Sequence, residues 1–311
     1  MSSLLSLPLM LLLHAAPAAT AEPAVFAPGV VSTGNEEFGA TFSPDGRTVV
    51  FTRADPTRFG FQVLMVSQWR EGRWTAPEVL PFSGRYRDID PSFTPDGRRL
   101  FFASVRPQSE GEKVHPDFDI WLVERTEKGW GAPRLAEGLN TPEDETNTSV
   151  TREGAVYVTR SPKGGARRIV RHAPRGNGWA EGEPLPESIN SGKGDGNHFV
   201  DPDERYLVFS SQRPGGSSDF DLYVSEREEQ GWRAPRNLGL AVNRTEGAFT
   251  PTVVATRGTL VYAQRRLFST APPERALTTK EFAERLAAPG NGQGDFYEVP
   301  LAVVGLAAPG K

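Results

Sequence analysis

One turn recurs along this chain of 311 residues, and its spacing constrains the fold more than any other feature. Ser43-Pro44-Asp45-Gly46 returns as Thr94-Pro95-Asp96-Gly97. Degenerate copies follow at Thr151-Arg152-Glu153-Gly154, Asp201-Pro202-Asp203-Glu204 and Val254-Ala255-Thr256-Arg257-Gly258. Successive copies start 50 to 57 residues apart. In the first two, Ser or Thr opens the turn, Pro presets φ at the next position and Gly closes it. A fixed period of this length marks a repeat architecture.

Each turn is followed by a short apolar run: Val49-Val50-Phe51, Leu100-Phe101-Phe102, Val156-Tyr157-Val158, Leu207-Val208-Phe209 and Leu260-Val261-Tyr262. Another precedes it, as at Phe38–Phe42 and Pro91–Phe93. A third follows a polar or Gly-rich loop, at Asp117–Trp121, Asp219–Tyr223 and Asp295–Tyr297. These runs lack strict alternation, which predicts sheets covered on both faces. A fourth carries Trp and usually Ala-Pro, at Trp74–Pro77, Trp130–Pro133, Trp179 and Trp232–Pro235. Proline cannot donate to a ladder, so this strand belongs on an outer edge, with its Trp as an anchor between units. Four short antiparallel strands per unit predict an all-β chain folded as a single β-propeller.

Five units are visible, so five four-stranded blades are expected; six would need a unit the sequence does not display. The fifth lacks a fourth strand. Ala24–Ser32 matches the fourth-strand pattern, with Ser32 where Asn140, Asn190 and Asn243 stand in later units. It is expected to close the ring, and the competing assignment is Ala302–Leu306. The last blade is interrupted by an insertion, 265–294. There Thr278-x-x-Glu281 is a capping box before Phe282, Ala283, Leu286 and Ala287, predicting a short helix packed on the ring or across the channel mouth.

Glycine and proline supply 59 of the 311 residues, the excess that so many turns demand. Net charge is −4 with no Lys/Arg block, which argues against a nucleic-acid partner. The absence of cysteine excludes disulfides and thiol catalysis. Residues 1–21 read as a signal peptide, an apolar run ending in Ala19-Thr20-Ala21. Cleavage would leave Glu22 first, the propeller spanning 22–311, and a periplasmic or secreted chain that does not span the membrane.

The best copy of the repeat runs from Ile189-Asn190-Ser191 through Phe209–Gly216 and Asp221-Leu222-Tyr223 to Gly231-Trp232-Arg233-Ala234-Pro235. It resembles the TolB-like, WD-repeat-like propeller repeat of exported bacterial proteins. The third unit departs most from that pattern. The resemblance implies kinship with that family's non-catalytic members, and, with no assembled nucleophile, base or metal set, the chain is expected to be a monomeric module that binds a protein or cell-envelope glycan through its channel mouth and loops. Acidic and amide residues recur on the innermost strands, giving Glu37, Asp88, Asp90, Glu145, Asn147, Asp195, Asn197 and His198 as candidate channel-mouth residues; Glu246 is near but out of register. Such residues serve strand-end hydrogen bonding, attract cations or basic groups, or, in the alternative reading, act as the carboxylate pair of a glycan-cleaving enzyme. The histidines have no metal-ligand spacing, no nucleophile elbow or phosphate loop occurs, and no cofactor or metal is expected. Arg167 and Arg168 read as part of a solvated basic face.

Overall fold

A computed structural model describes residues 22–55, 60–244, 247–269 and 271–310. The expected leader, residues 1–21, and Glu246 lie outside them. Five antiparallel sheets form a ring of five blades. The innermost strands are Glu36–Phe42, Asp88–Phe93, Asp144–Val150, Gly196–Val200 and Ala248–Val254. Each leads through its turn into a second and third strand in up-and-down order. The inner strand of every blade also touches those of its two neighbours, which closes the circle.

The outer strands carry their prolines at the edge of the sheet, as expected, but the strand is broken there. In blades 1, 2 and 4 the expected fourth strand is two stubs separated by Ala-Pro, whereas in blade 3 Ala180-Glu181-Gly182 stands between Gly178–Trp179 and Glu183–Pro184. In blade 2, Gly129–Trp130 and Arg134–Leu135 both pair with Asp119–Thr126, and Ala132-Pro133 leaves the ladder between them. The same break separates Arg73–Trp74 from Glu78–Val79. The tryptophans pack on the preceding blade: Trp74 on Phe26, Trp130 on Phe82 and Trp179 on Phe101, with ring centroids 5.5, 6.5 and 5.8 Å apart.

Ring closure falls to the N-terminal segment. Ala24–Val25 pairs with Glu298 and Tyr297, making it the outer strand of blade 5. The competing segment is instead a 3₁₀ turn, Leu301–Val304, buried at Leu301 and Val304. Ser32 occupies the place expected of it. Its Oγ accepts from Phe296 N–H at 3.0 Å and donates to Phe296 C=O at 3.3 Å. Asn140, Asn190 and Asn243 make the same two-way bond to Ile120, Ile169 and Leu222 with their side-chain amides.

The insertion forms the expected helix, Thr279–Leu286, with a full capping box between Thr278 and Glu281. Its packing differs from expectation. None of its residues is buried, and Phe282 and Leu286 are more than half exposed. The segment touches the ring just beyond the helix, where a Cβ on Gly34 would meet the Ala287 backbone at 2.7 Å, so only glycine fits there.

Ser32→Ala should lower stability by about 1–3 kcal/mol, because it leaves the buried Phe296 N–H without a partner. Urea unfolding would show a lower midpoint at unchanged slope. Deleting residues 22–32 should cost far more by stripping blade 5 of its outer strand.

Candidate functional site

The candidate residues other than His198 fall into two rings, set two residues apart along the chain of each blade. The first contains Glu37, Asp88, Glu145 and Asp195, each with its side chain fully buried. Each carboxylate accepts from a hydroxyl in the incoming loop: Thr33, Ser83, Thr141 and Ser191. Each is also paired with an arginine near the end of the second strand. These pairs are Arg53–Glu37 at 2.8 Å, Arg106–Asp88 at 2.7 Å, Arg160–Glu145 at 2.9 Å and Arg213–Asp195 at 2.9 Å. The same guanidiniums donate to carbonyls of the connection from the preceding blade, at Val30, Phe82, Leu139 and Ile189. Each arginine therefore stitches the interblade linker to its blade.

Side-chain length sets the spacing of the stitch. The two glutamates pair with the arginine directly opposite in register, Arg53 and Arg160. Asp88 is one methylene shorter and faces Ser104, and the arginine stands two residues further on, at Arg106. Asp195 repeats this with Ser211 and Arg213. Burial pushes the Glu37 carboxyl up and takes that of Glu145 to about 7, against the lowering effect of their threonine and arginine partners.

The second ring consists of Gly39, Asp90, Asn147, Asn197 and Thr250, one per blade. All five have positive φ, at 60°, 52°, 42°, 45° and 45°, and each inner-strand ladder shifts register there. Gly, Asn and Asp reach this region at modest cost, whereas β-branched Thr250 is strained in it. Hydroxyls and an amide tie the bulges to neighbouring blades. Gly39 N–H donates to Thr250 Oγ1 at 3.1 Å, Asp90 N–H to Thr52 Oγ1 at 3.0 Å and His198 N–H to Asn147 Oδ1 at 2.6 Å.

Asp90 is 5 % exposed, and burial pushes its carboxyl up to about 7, partly offset by the charge of Arg167 and the Asn147 N–H. Arg167 is accordingly turned inward rather than onto a solvated face: it donates to Gly194 C=O at 3.0 Å and lies over the Phe220 ring. Burial takes His198 down to about 3, so the ring is neutral. It sits against Thr159, and its Nε2 has no hydrogen-bond partner. Among the described residues no group of three His, Asp or Glu side chains is placed to hold a metal ion.

Below the bulges the inner strands enclose a cavity of about 500 Å³ that extends to the turns. Phe42, Phe93, Val150, Phe199 and Val253 supply apolar wall; Thr41, Ser92, Thr148 and Thr252 supply hydroxyls. Asn147 and His198 are the only members of the candidate set on this wall, which carries no carboxylate; its one charged residue is Arg152. The second-strand arginines were legible as Ser-x-Arg in two copies of the repeat, but their partners were not.

No protein-family model matches the chain, and no curated protein does. Among solved structures it is similar to a protein described as TolB from Agrobacterium tumefaciens. That match has 14 % identity over 85 % of this chain and 90 % of the other, with TM-score 0.48. It is similar to a protein of unknown function from Dyadobacter fermentans, 15 % identical over 78 % of this chain and 80 % of the other, TM-score 0.44. It is also similar to a puromycin-hydrolysing peptidase of Mycobacterium tuberculosis, 13 % identical over 79 % of this chain, TM-score 0.43; the match spans 36 % of the peptidase. The five-bladed propeller rests on the sheets themselves. Among the described residues no helix is long and apolar enough to cross a membrane.

Arg106→Met should destabilise the protein by about 3–5 kcal/mol by leaving the Asp88 carboxylate buried without its charge partner. Adding Asp88→Asn should restore part of that loss in urea unfolding. A native carboxyl near 7, above its ordinary value, stabilises most at low pH and loses that contribution as pH rises from about 4 through about 7. Asp90→Asn should therefore flatten part of the fall in urea midpoint across that window.

Proposed function

We propose that this chain is an exported, non-catalytic propeller that docks a protein of the cell envelope on the end of the ring carrying the strand 4–1 and 2–3 connections. The observation that carries the reading is the distribution of exposed apolar side chains. Eight large hydrophobic residues are exposed among those described: Phe61, Val79, Val114, Leu240, Leu267, Leu277, Phe282 and Leu286. All but Val79 lie in connections at that one end, four of them in the insertion. Scattered exposed hydrophobics need no explanation, but a set gathered on loops of a rigid scaffold suits recognition. The stitches at Arg53 and Arg106 hold the roots of the loops that carry Phe61 and Val114, which reduces the ordering that binding there would require.

Glycan cleavage needs two carboxylates flanking a bond in an open pocket. The cavity wall offers none, and the four acids of the first ring are engaged by arginine, which favours protein docking. Periplasmic or secreted residence belongs to this proposal and rests on the apolar leader read from residues 1–21.

A photo-crosslinking residue at Phe282 should capture an envelope protein that the same residue at exposed Arg98, on the turn-bearing end, does not. With the crosslinker moved to Leu267, Phe282→Glu should abolish that capture. Equal capture from both ends, or capture unaffected by Phe282→Glu, would overturn the proposal.

A further inference from the structure

At the turn-bearing end, a segment of the chain itself runs from blade 5 to the turns of blades 4 and 3 and joins the cavity wall. Leu301, Val304 and Leu306 are anchored in the core of blades 4 and 5. Beyond them, Ala308, Pro309 and Gly310 join the cavity wall. The segment is held by its backbone. Arg205 Nη2 donates to the Ala308 carbonyl at 2.8 Å, Arg152 Nη2 donates to the Gly310 carbonyl, and Arg236 Nη2 donates to the Val304 carbonyl at 2.8 Å. Ala308 and Gly310 are two residues apart, the period at which an extended chain repeats its orientation.

The arginines at this mouth are not bare charges. Arg205 pairs with Asp201 at 2.6 Å and Arg152 with Asp203 at 2.7 Å, both acids coming from the same turn. Compensated in this way, their remaining N–H donors suit a neutral carbonyl better than an anion. The cavity behind them has neither carboxylate nor lysine on its wall. Its volume lies within the range of about 300–1,000 Å³ typical of ligand pockets. Pro44, Pro95 and Pro202 stand on the wall at the turns.

We propose that this mouth is a binding site for an extended, uncharged peptide segment rich in small residues and proline, and that Ala307–Gly310 occupies it intramolecularly. The site lies at the opposite end of the ring from the docking face and does not depend on that reading. A tethered segment competes at an effective concentration of order millimolar, so a free peptide binds weakly until the tether is displaced.

The test is titration of acetyl-Leu-Ala-Ala-Pro-Gly-amide, followed by calorimetry. A chain ending at Leu306, which keeps the buried anchor, should bind it at least tenfold more tightly than the full chain. Arg152→Ala with Arg205→Ala in the shortened chain should remove that binding. Equal affinity of the shortened and doubly substituted chains would overturn the proposal. So would tighter binding of acetyl-Leu-Asp-Asp-Pro-Gly-amide, which would mark an anion site. If the shortened chain does not fold, the full chain still decides. The protein lacks cysteine, so Ala307→Cys carries a single spin label. Excess Leu-Ala-Ala-Pro-Gly peptide should raise its mobility, and an unchanged spectrum would overturn the proposal.

Discussion

The pairing of Ala24–Val25 with Glu298 and Tyr297 is the contact on which the rest depends. A blade buries both faces only if it has a neighbour on each side, so an open row of blades would leave two sheet faces in water. Closing the row with a strand from the other end of the chain turns the loop-closure cost into burial on every blade. The closing strand is only two residues long. Ser32 extends its grip by bonding both backbone groups of Phe296, as the asparagines do in other blades. In a chain without cysteine, no disulfide shares that task.

Closure creates two ends of different character. At one, buried carboxylates and arginines bind the interblade linkers, and exposed apolar side chains project from the loops above. Such a face is rigid at its roots and adaptable at its surface. At the other, tight turns ring the cavity and a backbone segment joins its wall, held by arginines whose charge is already matched. The bulges separate the two. Five inner strands would otherwise present unpaired edges to the channel, and the interblade hydroxyls cap several of those N–H groups.

Much of the fold was legible because the repeat states it several times. The strand order, blade count, closing segment and helix cap all followed from local patterns recurring at fixed spacing. The outer strands were harder: Ala-Pro marked an edge correctly, but its effect of splitting the strand into two stubs shows only in the ladder. The candidate site was legible as a set of residues and not as an arrangement. Asp88 and Asp90 look alike in sequence, yet one is stitched to Arg106 and the other sits at a left-handed bulge near Arg167. A single extra residue in the inner strand separates them, and no composition signal marks it. The pairing rule was present all along, since glutamate accompanies an arginine directly opposite and aspartate a Ser-x-Arg.

By itself, then, the sequence determined a closed all-β ring of five units, the segment that closes it and the place of its one long insertion. These follow from turn chemistry, proline's missing N–H and periodic burial, which act over a few residues and repeat. Only the tertiary structure decided that the carboxylates are engaged by arginine, that Arg167 turns inward, that the insertion leaves its apolar side chains uncovered and that Ala308–Gly310 lies on the cavity wall. Those outcomes depend on which residues from distant parts of the chain come within hydrogen-bond reach. That distance is set by how five twisted sheets pack around a common axis, and no local pattern encodes it.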